Sequence, residues 1–181
     1  MLRIETLAKH HNRKAFDCGT RPALNIFLQQ QARQQSAKDA SRTFVLVDDA
    51  APDQIIGFFT LVVTDVKGDQ LPKEMAKTYD NPAPAARLAR LAVDQSFQRK
   101  GMGAILLGDV LQRVMILSAH VGIVGLFVDA KDDAAQQYYV SYGFEPLQQN
   151  PKGLFQTLFL PMGTLRKLVS PEPSPSDDGT P

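Results

Sequence analysis

The feature that most constrains this chain is a short basic segment with two glycines between an apolar run and a long amphipathic pattern. The segment is Gln98-Arg99-Lys100-Gly101-Met102-Gly103-Ala104; residues 88–93 precede it and a helical pattern follows it to about residue 119. Glycine permits a tight turn and lets the backbone approach an anion without a Cβ in between. The first N–H groups of a helix lack intrahelical partners, and the helix dipole favours negative charge there. This order of elements predicts a site for a phosphate-bearing cofactor.

Spacing separates this segment from other well-known catalytic and phosphate-binding motifs. A dinucleotide fingerprint needs a third Gly or Ala where this chain has Leu106, and the chain lacks the Gly-Lys-Ser/Thr triplet of a P-loop. Cys18 and the three histidines (His10, His11 and His120) show no metal-ligand spacing. No Gly-x-Ser-x-Gly nucleophile motif occurs either. We therefore expect no metal site and no serine nucleophile of that type.

Length and composition fit a single cytoplasmic domain. The 181 residues, of which 44% are hydrophobic and 22% charged, suffice for one globular core. The longest apolar run, near residues 123–128, has the length of a buried strand rather than of a membrane span. The N-terminus lacks a signal-peptide layout, and the lone Cys18 cannot form an internal disulfide. We expect a domain over residues 1–170 and a disordered acidic, proline-rich tail over residues 171–181.

Periodicity and turn residues predict an α/β fold with a mixed, mostly antiparallel sheet flanked by helices. The predicted strands are 3–7, 43–47, 55–64, 87–93, 123–128 and 157–160. The predicted helices are 22–36, 101–119 and 132–141, with one or two further helical turns at 164–169. Strands 43–47 and 55–64 predict an antiparallel hairpin in which Gly57 is a candidate bulge. Residues 65–86 contain several breakers and predict one short helix near residues 73–78.

The segment at residues 98–104 resembles the pyrophosphate loop of the GCN5-related N-acetyltransferases (the GNAT superfamily). A second segment, residues 134–144, is similar to that family's pattern of Ala, a tyrosine, three further residues and then Gly-Phe. The resemblance implies the GNAT acyl-CoA N-acyltransferase fold, acetyl-CoA as the donor and no metal. It also implies that the strand backbone pairs with the pantetheine arm and that one of its N–H groups faces the thioester oxygen. The cofactor-binding residues implied are Leu91, Ala92, Val93, Gln98, Arg99, Lys100, Gly101, Met102, Gly103 and Ala104.

Tyr139 falls on the position of the family's general acid. A phenol with a pKa of about 10 is protonated at neutral pH and can donate its proton to the departing thiolate. Tyr138 and Tyr142 are the competing candidates. Tyr138 takes the place of the family's usual Phe, which favours a packing role, and Tyr142 lies next to the helix cap, where an exposed or edge-packed side chain is expected. A core tyrosine that caps a backbone group is the alternative interpretation of Tyr139.

The sequence presents no clear general base. Asp94 and Asp129 are equally well explained as turn or strand-end residues. The amine of an aminoacyl ester has a pKa below the roughly 7.7–8.0 of an ordinary α-amino group and needs no base, whereas a lysine amine near about 10.4 does. This difference in amine pKa favours an aminoacyl ester over a protein lysine as the acceptor.

Other segments narrow the resemblance to the acetyltransferase toxins of bacterial type II toxin–antitoxin modules. They are Phe16-Asp17-Cys18-Gly19, Leu24-Asn25, Arg42-Thr43-Phe44-Val45, Pro82-x-Pro84 with the strand after it, and Leu158-Phe159-Leu160-Pro161. The resemblance implies acetylation of the α-amine of aminoacyl-tRNA and a block of translation. It further implies a ribbon-helix-helix antitoxin, a homodimer, and contact with operator DNA through the antitoxin alone. Gln98, where many superfamily members have Arg, is a modest departure.

Positive charge is concentrated near the N-terminus, although the net charge of the whole chain is only +1. Residues 1–44 contain eight Lys or Arg residues against three Asp or Glu residues. Such an excess attracts phosphate groups, and a solvated helix surface explains it equally well. Under the toxin interpretation the candidates for a tRNA surface are Lys9, Arg13, Lys14, Arg33, Lys38 and Arg42. Arg87 and Arg90, three residues apart on a strand, are expected to point to opposite faces.

Two other functions remain open from the sequence. A metabolic N-acetyltransferase that acts on a small amine or a protein N-terminus would need the same cofactor loop. A DNA co-repressor of the same fold with little catalysis would use the basic N-terminal region. A tyrosine in register with the family's general acid counts against the co-repressor.

Overall fold

A seven-stranded mixed sheet organises the computed structural model, which describes residues 1–79, 82–147 and 155–170. The strands are β1 (Leu2–Thr6), β2 (Arg42–Asp48), β3 (Gly57–Val66), β4 (Ala83–Val93), β5 (Gly125–Ala130), β6 (Glu145–Pro146) and β7 (Gln156–Pro161). Their order across the sheet is β1-β2-β3-β4-β5-β7-β6, and β4 with β5 is the one parallel pair among the described strands. The predicted mixed, mostly antiparallel sheet is confirmed. The predicted tail lies outside the described residues.

Helices cover both faces of this sheet. They are α1 (Pro22–Ile26), a π-helical turn (Phe27–Gln31), α2 (Ala32–Ala37), α3 (Lys73–Ala76), α4 (Met102–His120), α5 (Asp133–Ser141) and α6 (Met162–Val169). The predicted helix over residues 22–36 is present, but a π turn interrupts it. The predicted ranges 101–119 and 132–141 agree with α4 and α5 to within one residue, and the ends have capping residues: Gly101 precedes α4 with φ +80°, the Asp132 carboxylate caps α5, and Gly143 follows α5 with φ +89°. The short strand β6 was not predicted.

The longest helix, α4, packs its apolar stripe on one face of the sheet. The stripe consists of Leu106, Leu107, Val110, Leu111 and Val114, all buried in one core cluster. By length and composition alone α4 is also apolar enough to cross a membrane, a test that the core helix of a globular domain passes as well. The helix is not an uninterrupted apolar run, because it contains Asp109 and Arg113. The opposite face of the sheet carries Phe27, Leu28 and Ala32 against Phe58.

Strands β4 and β5 separate after a short parallel contact. They pair from Ala86 opposite Leu126 to Leu88 opposite Val128, and no further. Strand β4 nevertheless continues to Val93 because β3 pairs with it up to that residue. A gap therefore opens between the end of β4 and the end of β5, where α5 begins.

A bulge in β4 moves two arginines onto one face of the sheet. The register with β3 shifts at Thr60 and Leu61 rather than at Gly57, which leaves Ala89 as the extra residue. The Arg87 guanidinium lies 5.5 Å from the centre of the Phe127 ring, and that of Arg90 lies 3.6 Å from the centre of the Phe27 ring. Both rings lie on the face opposite α4. Phe127 alternates along β5 with Leu126, and Phe27 packs on Phe58, which alternates along β3 with Phe59; Leu126 and Phe59 belong to the α4 cluster. The expectation of opposite faces is wrong because the bulge shifts the alternation by one residue.

A glycine on β5 provides a stability test of this packing. A Cβ on Gly125 would lie 2.5 Å from ring carbons of Phe159, whereas one on Gly122 would meet no atom within 4 Å. We expect Gly125→Ala to lower the free energy of unfolding by at least about 2 kcal/mol, and Gly122→Ala to change it by less than about 0.5 kcal/mol. Urea unfolding of the two variants measures the difference. Equal stabilities would contradict the described register of β5 and β7.

Candidate functional site: the gap between the two parallel strands

The gap between β4 and β5 contains a cavity of about 220 Å³. Its walls combine apolar residues of the two strands with charged residues at the rim. The lining residues are Arg21, Ala23, Leu24, Leu88, Ala89, Arg90, Leu91, Val128, Asp129, Lys131, Ala135 and Tyr139. The cavity thus brings together the end of β4, the start of α1 and the first turns of α5.

At the end of β4 two backbone positions face the gap. Asp94 donates its backbone N–H to the oxygen of Ile56, the residue before β3, at 2.9 Å, so its amide points away from the gap. Because amides alternate along a strand, Leu91 and Val93 direct theirs toward the gap, whereas Ala92 directs its amide to β3. Of the three predicted cofactor residues on this strand, Leu91 and Val93 have the required backbone orientation and Ala92 does not.

The loop after β4 presents a row of free amides. Within the described residues, the backbone N–H groups of residues 98–103 donate no hydrogen bond. Arg99 has φ +59° and Gly101 has φ +80°, and these two left-handed residues curl the loop over the start of α4. Successive free amides at a helix N-terminus form an anion-binding concavity. The backbone of this loop can therefore hold a diphosphate.

The side chains of the loop have structural roles that the sequence did not indicate. The Gln98 side-chain amide donates to the backbone oxygens of Val93 at 2.9 Å and Cys18 at 3.1 Å. The Lys100 ammonium group donates to the Ser96 oxygen at 2.9 Å. Gln98 was predicted as a cofactor contact, yet both amide hydrogen atoms of its side chain are used inside the protein. Its role in this structure is to hold the loop against the end of β4.

The N-terminal segment at residues 16–19 is tied to the same loop. The Asp94 carboxylate accepts hydrogen bonds from the backbone N–H groups of Asp17, at 3.0 Å, and of Ser96, at 2.9 Å. Gln95 donates two hydrogen bonds to Asp17. Its backbone N–H donates to the Asp17 backbone oxygen at 2.8 Å, and its side-chain amide donates to the Asp17 carboxylate at 3.1 Å. Cys18 is buried beside these bonds, and burial raises the pKa of its thiol. Asp94 and Asp17 therefore fix the position of the loop.

Tyr139 lies inside the cavity, on α5. The residue is 8% exposed, and its ring packs edge-on against Phe144. Burial raises the pKa of its hydroxyl to about 12, against a smaller opposing effect of the Arg21 charge. Its hydroxyl is not among the buried atoms that lack a partner, unlike that of the adjacent Tyr138. Tyr139 therefore presents a protonated hydroxyl to the cavity at neutral pH.

Comparison with known proteins identifies the family of this arrangement. A family model for the acetyltransferase (GNAT) domain matches residues 17–164. This chain belongs to the GNAT acetyltransferase family. A tRNA-acetylating toxin of Mycobacterium tuberculosis (strain ATCC 25618 / H37Rv) is 30% identical over 130 residues, which cover 72% of this chain and 76% of the relative.

Solved structures give the same family. The structure of AtaT in complex with acetyl-methionyl-tRNAfMet has a TM-score of 0.83 and 32% identity, and the match covers 94% of this chain and 100% of that one. A mutant AtaT toxin bound to the C-terminus of the antitoxin AtaR and to acetyl-CoA has a TM-score of 0.78 and 30% identity, with 93% and 98% covered. The predicted GNAT fold is thereby confirmed.

The charged residues around the GNAT cavity differ in whether they have partners. Arg87 pairs with Asp129 at 2.8 Å, and Asp129 also accepts a bond from the Thr157 hydroxyl at 2.7 Å. Arg21 pairs with Asp132 at 2.6 Å. Arg90 has no acidic partner among the described residues, and its guanidinium instead covers the Phe27 ring. Because Asp129 and Asp94 are both engaged, neither is positioned as a free general base.

The histidine cluster of the GNAT domain is explained without a metal. The oxygen and nitrogen atoms of Glu5, His10 and His11 lie close enough together to hold a metal ion. However, His11 Nδ1 accepts the Ala8 backbone N–H at 2.8 Å, so its proton is on Nε2, which donates to Glu5 at 2.8 Å. A metal at Nε2 would require the other tautomer and would break the bond to Ala8. Glu5, His11 and the Ala8 amide therefore form a structural hydrogen-bond network, and the His10 ring packs against that of His11 with centres 4.0 Å apart.

Gln98 offers a test of how the GNAT loop is held. We expect Gln98→Glu to lower the free energy of unfolding by about 1–3 kcal/mol, because a carboxylate replaces two donated bonds with repulsion between oxygens. Gln112→Glu, at an exposed position on α4, is the matched control and should be nearly neutral. Chemical denaturation of both variants measures the difference. Equal effects would show that Gln98 does not anchor the loop.

Proposed function

We propose that this chain acetylates the α-amine of aminoacyl-tRNA with acetyl-CoA, and that it thereby blocks translation as the toxin of a toxin–antitoxin module. The observation that carries the proposal is Tyr139, whose protonated hydroxyl lies in a cavity bordered by the free amides of β4. The named activity of the mycobacterial relative and the tRNA complex of AtaT support the same acceptor. The AtaT complex with acetyl-CoA supports the donor.

The proposed reaction uses the two ends of the gap. Residues 98–103 bind the diphosphate through backbone N–H groups, and the amides of Leu91 and Val93 pair with the pantetheine arm. A strand N–H polarises the thioester carbonyl, the neutral amine attacks its carbon, and the C–N bond forms as the C–S bond breaks. Tyr139 donates its proton to the departing thiolate, and the acylated nitrogen releases a proton to solvent.

Burial raises the pKa of Tyr139 to about 12, which makes the phenol a weaker acid but ensures that it carries its proton when the thiolate forms. The raised value keeps the hydroxyl protonated throughout the neutral range, and the thiolate that leaves is generated inside the same cavity. The absence of a free carboxylate among the described cavity residues fits an acceptor amine of low pKa. An aminoacyl ester has such an amine, whereas a lysine side chain does not.

The cations at the cavity rim favour a phosphate-bearing acceptor over a small neutral amine. Arg90 has no carboxylate partner among the described residues, and burial lowers the pKa of its guanidinium. Lys131 lies exposed on the opposite wall. Both can meet the phosphates of an RNA 3′ end that enters the cavity. Of the predicted surface cations, Arg13 is bonded to the Gln29 oxygen and Arg42 to Asp39, which leaves Lys9, Lys14, Arg33 and Lys38 as the wider tRNA surface.

The partners follow from the same proposal. The AtaT–AtaR complex supports an antitoxin that binds the toxin through its C-terminus. A ribbon-helix-helix antitoxin, contact with operator DNA through that antitoxin, a homodimer and a cytoplasmic location complete the proposal. Analytical ultracentrifugation of the purified chain tests the dimer.

The decisive assay offers each of several acceptors to the purified protein in separate, parallel reactions. Labelled acetyl-CoA is incubated with a charged tRNA pool, free amino acids, uncharged tRNA and small amines in parallel. We expect label on aminoacyl-tRNA alone. Label on a free amine instead would replace the toxin proposal with a metabolic acetyltransferase.

Substitution of Tyr139 tests the proton donor. We expect Tyr139→Phe to lower the rate of transfer by roughly 10²- to 10⁴-fold, because the thiolate leaves without a proton, while acetyl-CoA binding persists. Tyr142→Phe, one residue past the end of the same helix and outside the cavity, is the control and should keep the wild-type rate. Expression of the wild type should arrest growth, and Tyr139→Phe should relieve the arrest. A fully active Tyr139→Phe variant would contradict the assigned role.

Substitution of Arg90 tests the acceptor site. We expect Arg90→Gln to raise the KM for aminoacyl-tRNA about tenfold and to leave the KM for acetyl-CoA unchanged. Arg113→Gln is the matched control, since Arg113 also covers a phenylalanine ring (Phe44, at 3.9 Å) but lies on α4, away from the cavity. Steady-state kinetics at two salt concentrations measure both. An equal effect on the two substrates would indicate a structural role for Arg90.

A further inference from the structure

An ion pair at the rim of the cavity joins its α1 side to its α5 side. The Arg21 guanidinium donates to the Asp132 carboxylate at 2.6 Å, although the two residues are 111 positions apart in the chain. Arg21 directly precedes α1, and Asp132 directly precedes α5. In the described part of the chain, this is the one hydrogen bond between residues 16–31 and residues 132–141. The pair therefore ties together two elements that the sheet does not connect.

The exposure of this pair shows that it adds little to the stability of the fold. The side chain of Arg21 is 42% exposed and that of Asp132 is 51% exposed. Exposed ion pairs contribute little, because water screens the charges and two flexible side chains lose freedom. Asp132 also has a separate structural role, since its other carboxylate oxygen caps α5 by accepting the Ala135 N–H at 2.8 Å. The bond to Arg21 can therefore be lost while the helix cap is kept.

On the α5 side, the pair is attached to the helix face that carries the proposed proton donor. Ala135 and Tyr139 both line the cavity, three and seven residues after Asp132. Residues at this spacing lie on one face of a helix. The Arg21 charge also reaches Tyr139, because it opposes the rise in the pKa of the hydroxyl that burial causes. The pair therefore holds α5 on the side of Tyr139.

On the other side, Arg21 is fixed to the proposed cofactor loop. Its backbone oxygen accepts hydrogen bonds from the Cys18 thiol at 3.3 Å and from the Leu24 N–H at 3.0 Å. The Cys18 backbone oxygen in turn accepts the bond from the Gln98 side chain at 3.1 Å. A series of hydrogen bonds thus runs from the loop through Cys18 and Arg21 to Asp132 and α5.

We propose that the Arg21–Asp132 ion pair is a clamp that sets the position of Tyr139 relative to the sulfur of bound acetyl-CoA. Arg21 and Asp132 are positioning residues, which act through Tyr139 rather than on the reacting atoms. The inference rests on the proposed function, because it takes Tyr139 as the proton donor and residues 98–103 as the cofactor site. A small displacement of a catalytic group slows the reaction strongly. The clamp therefore affects the chemical step and leaves cofactor binding unchanged.

Asp132→Asn breaks the clamp without removing the helix cap. The asparagine oxygen can still accept the Ala135 N–H, whereas its NH2 group cannot accept a bond from Arg21. With the acceptor that the wild type uses, we expect kcat to fall about tenfold, while the KM for acetyl-CoA and the melting temperature are nearly unchanged. Asp133→Asn, which removes a charge from the first turn of the same helix, is the matched control and should keep the wild-type kcat. Steady-state kinetics and thermal unfolding measure these quantities.

Further variants test whether the pair acts as a unit and acts through Tyr139. Arg21→Gln breaks the same bond, so it should lower kcat as much as Asp132→Asn does, and the double variant should show no further loss. Arg21→Lys keeps a cation within reach of Asp132 and should retain most of the rate. In a Tyr139→Phe background, Asp132→Asn should not lower the residual rate, because the hydroxyl that the clamp positions is absent.

Three results would overturn the inference while the wild type transfers acetyl groups. The first is a wild-type kcat for Asp132→Asn. The second is a loss confined to Arg21→Gln, which would assign the effect to the arginine charge alone. The third is a full loss in the Tyr139→Phe background, which would show that the pair acts on another group. A wild type that transfers acetyl to no acceptor would overturn the proposed function and this inference together.

Discussion

The separation of β4 from β5 is the constraint on which the rest of the site depends. The two strands share three paired positions, and β4 then continues alone on that side while β3 supports its other edge as far as Val93. An unpaired strand edge inside a sheet normally invites another strand. Here the edge faces a cavity, and the amides of Leu91 and Val93 are available to a ligand that is itself extended. The fold therefore makes its binding site by leaving a sheet incomplete.

Free backbone donors are useful only if the loop that carries them is rigid. Side-chain hydrogen bonds supply that rigidity: Gln98 binds two backbone oxygens, Asp94 binds two backbone N–H groups, and Lys100 binds a third oxygen. Each of these bonds satisfies a backbone group other than the amides of residues 98–103. The loop thus has its shape before any ligand arrives, which reduces the ordering cost of binding. The N-terminal segment takes part in this scaffold through Asp17.

The sequence predicted the elements that have local signals. Gly101, Asp132 and Gly143 fixed helix boundaries because their backbone and capping preferences act within a few residues. The roles of Gln98 and Asp94 were not predictable in this way, since Asp94 bonds to Asp17, 77 residues earlier. The orientation of Arg87 and Arg90 was mispredicted because a bulge at Ala89 has no signature in a run of small and apolar residues. Features set by neighbouring residues could be predicted from the sequence, whereas hydrogen bonds between residues far apart in the chain could not.

The electrostatics of the cavity separate groups that hold the structure from groups that can serve a substrate. The acids Asp129 and Asp132 are paired with Arg87 and Arg21, which stabilises the rim and removes both acids as bases. Arg90 is the cation of β4 left without an acid in the described part of the chain, and its flat guanidinium is held in place by a phenyl ring. A fixed cation with an unused charge recognises an anion at little entropic cost. An acceptor with phosphates can pair with the Arg90 charge. An acceptor with an amine of low pKa can react without a general base, and the described cavity residues include no free carboxylate to act as one.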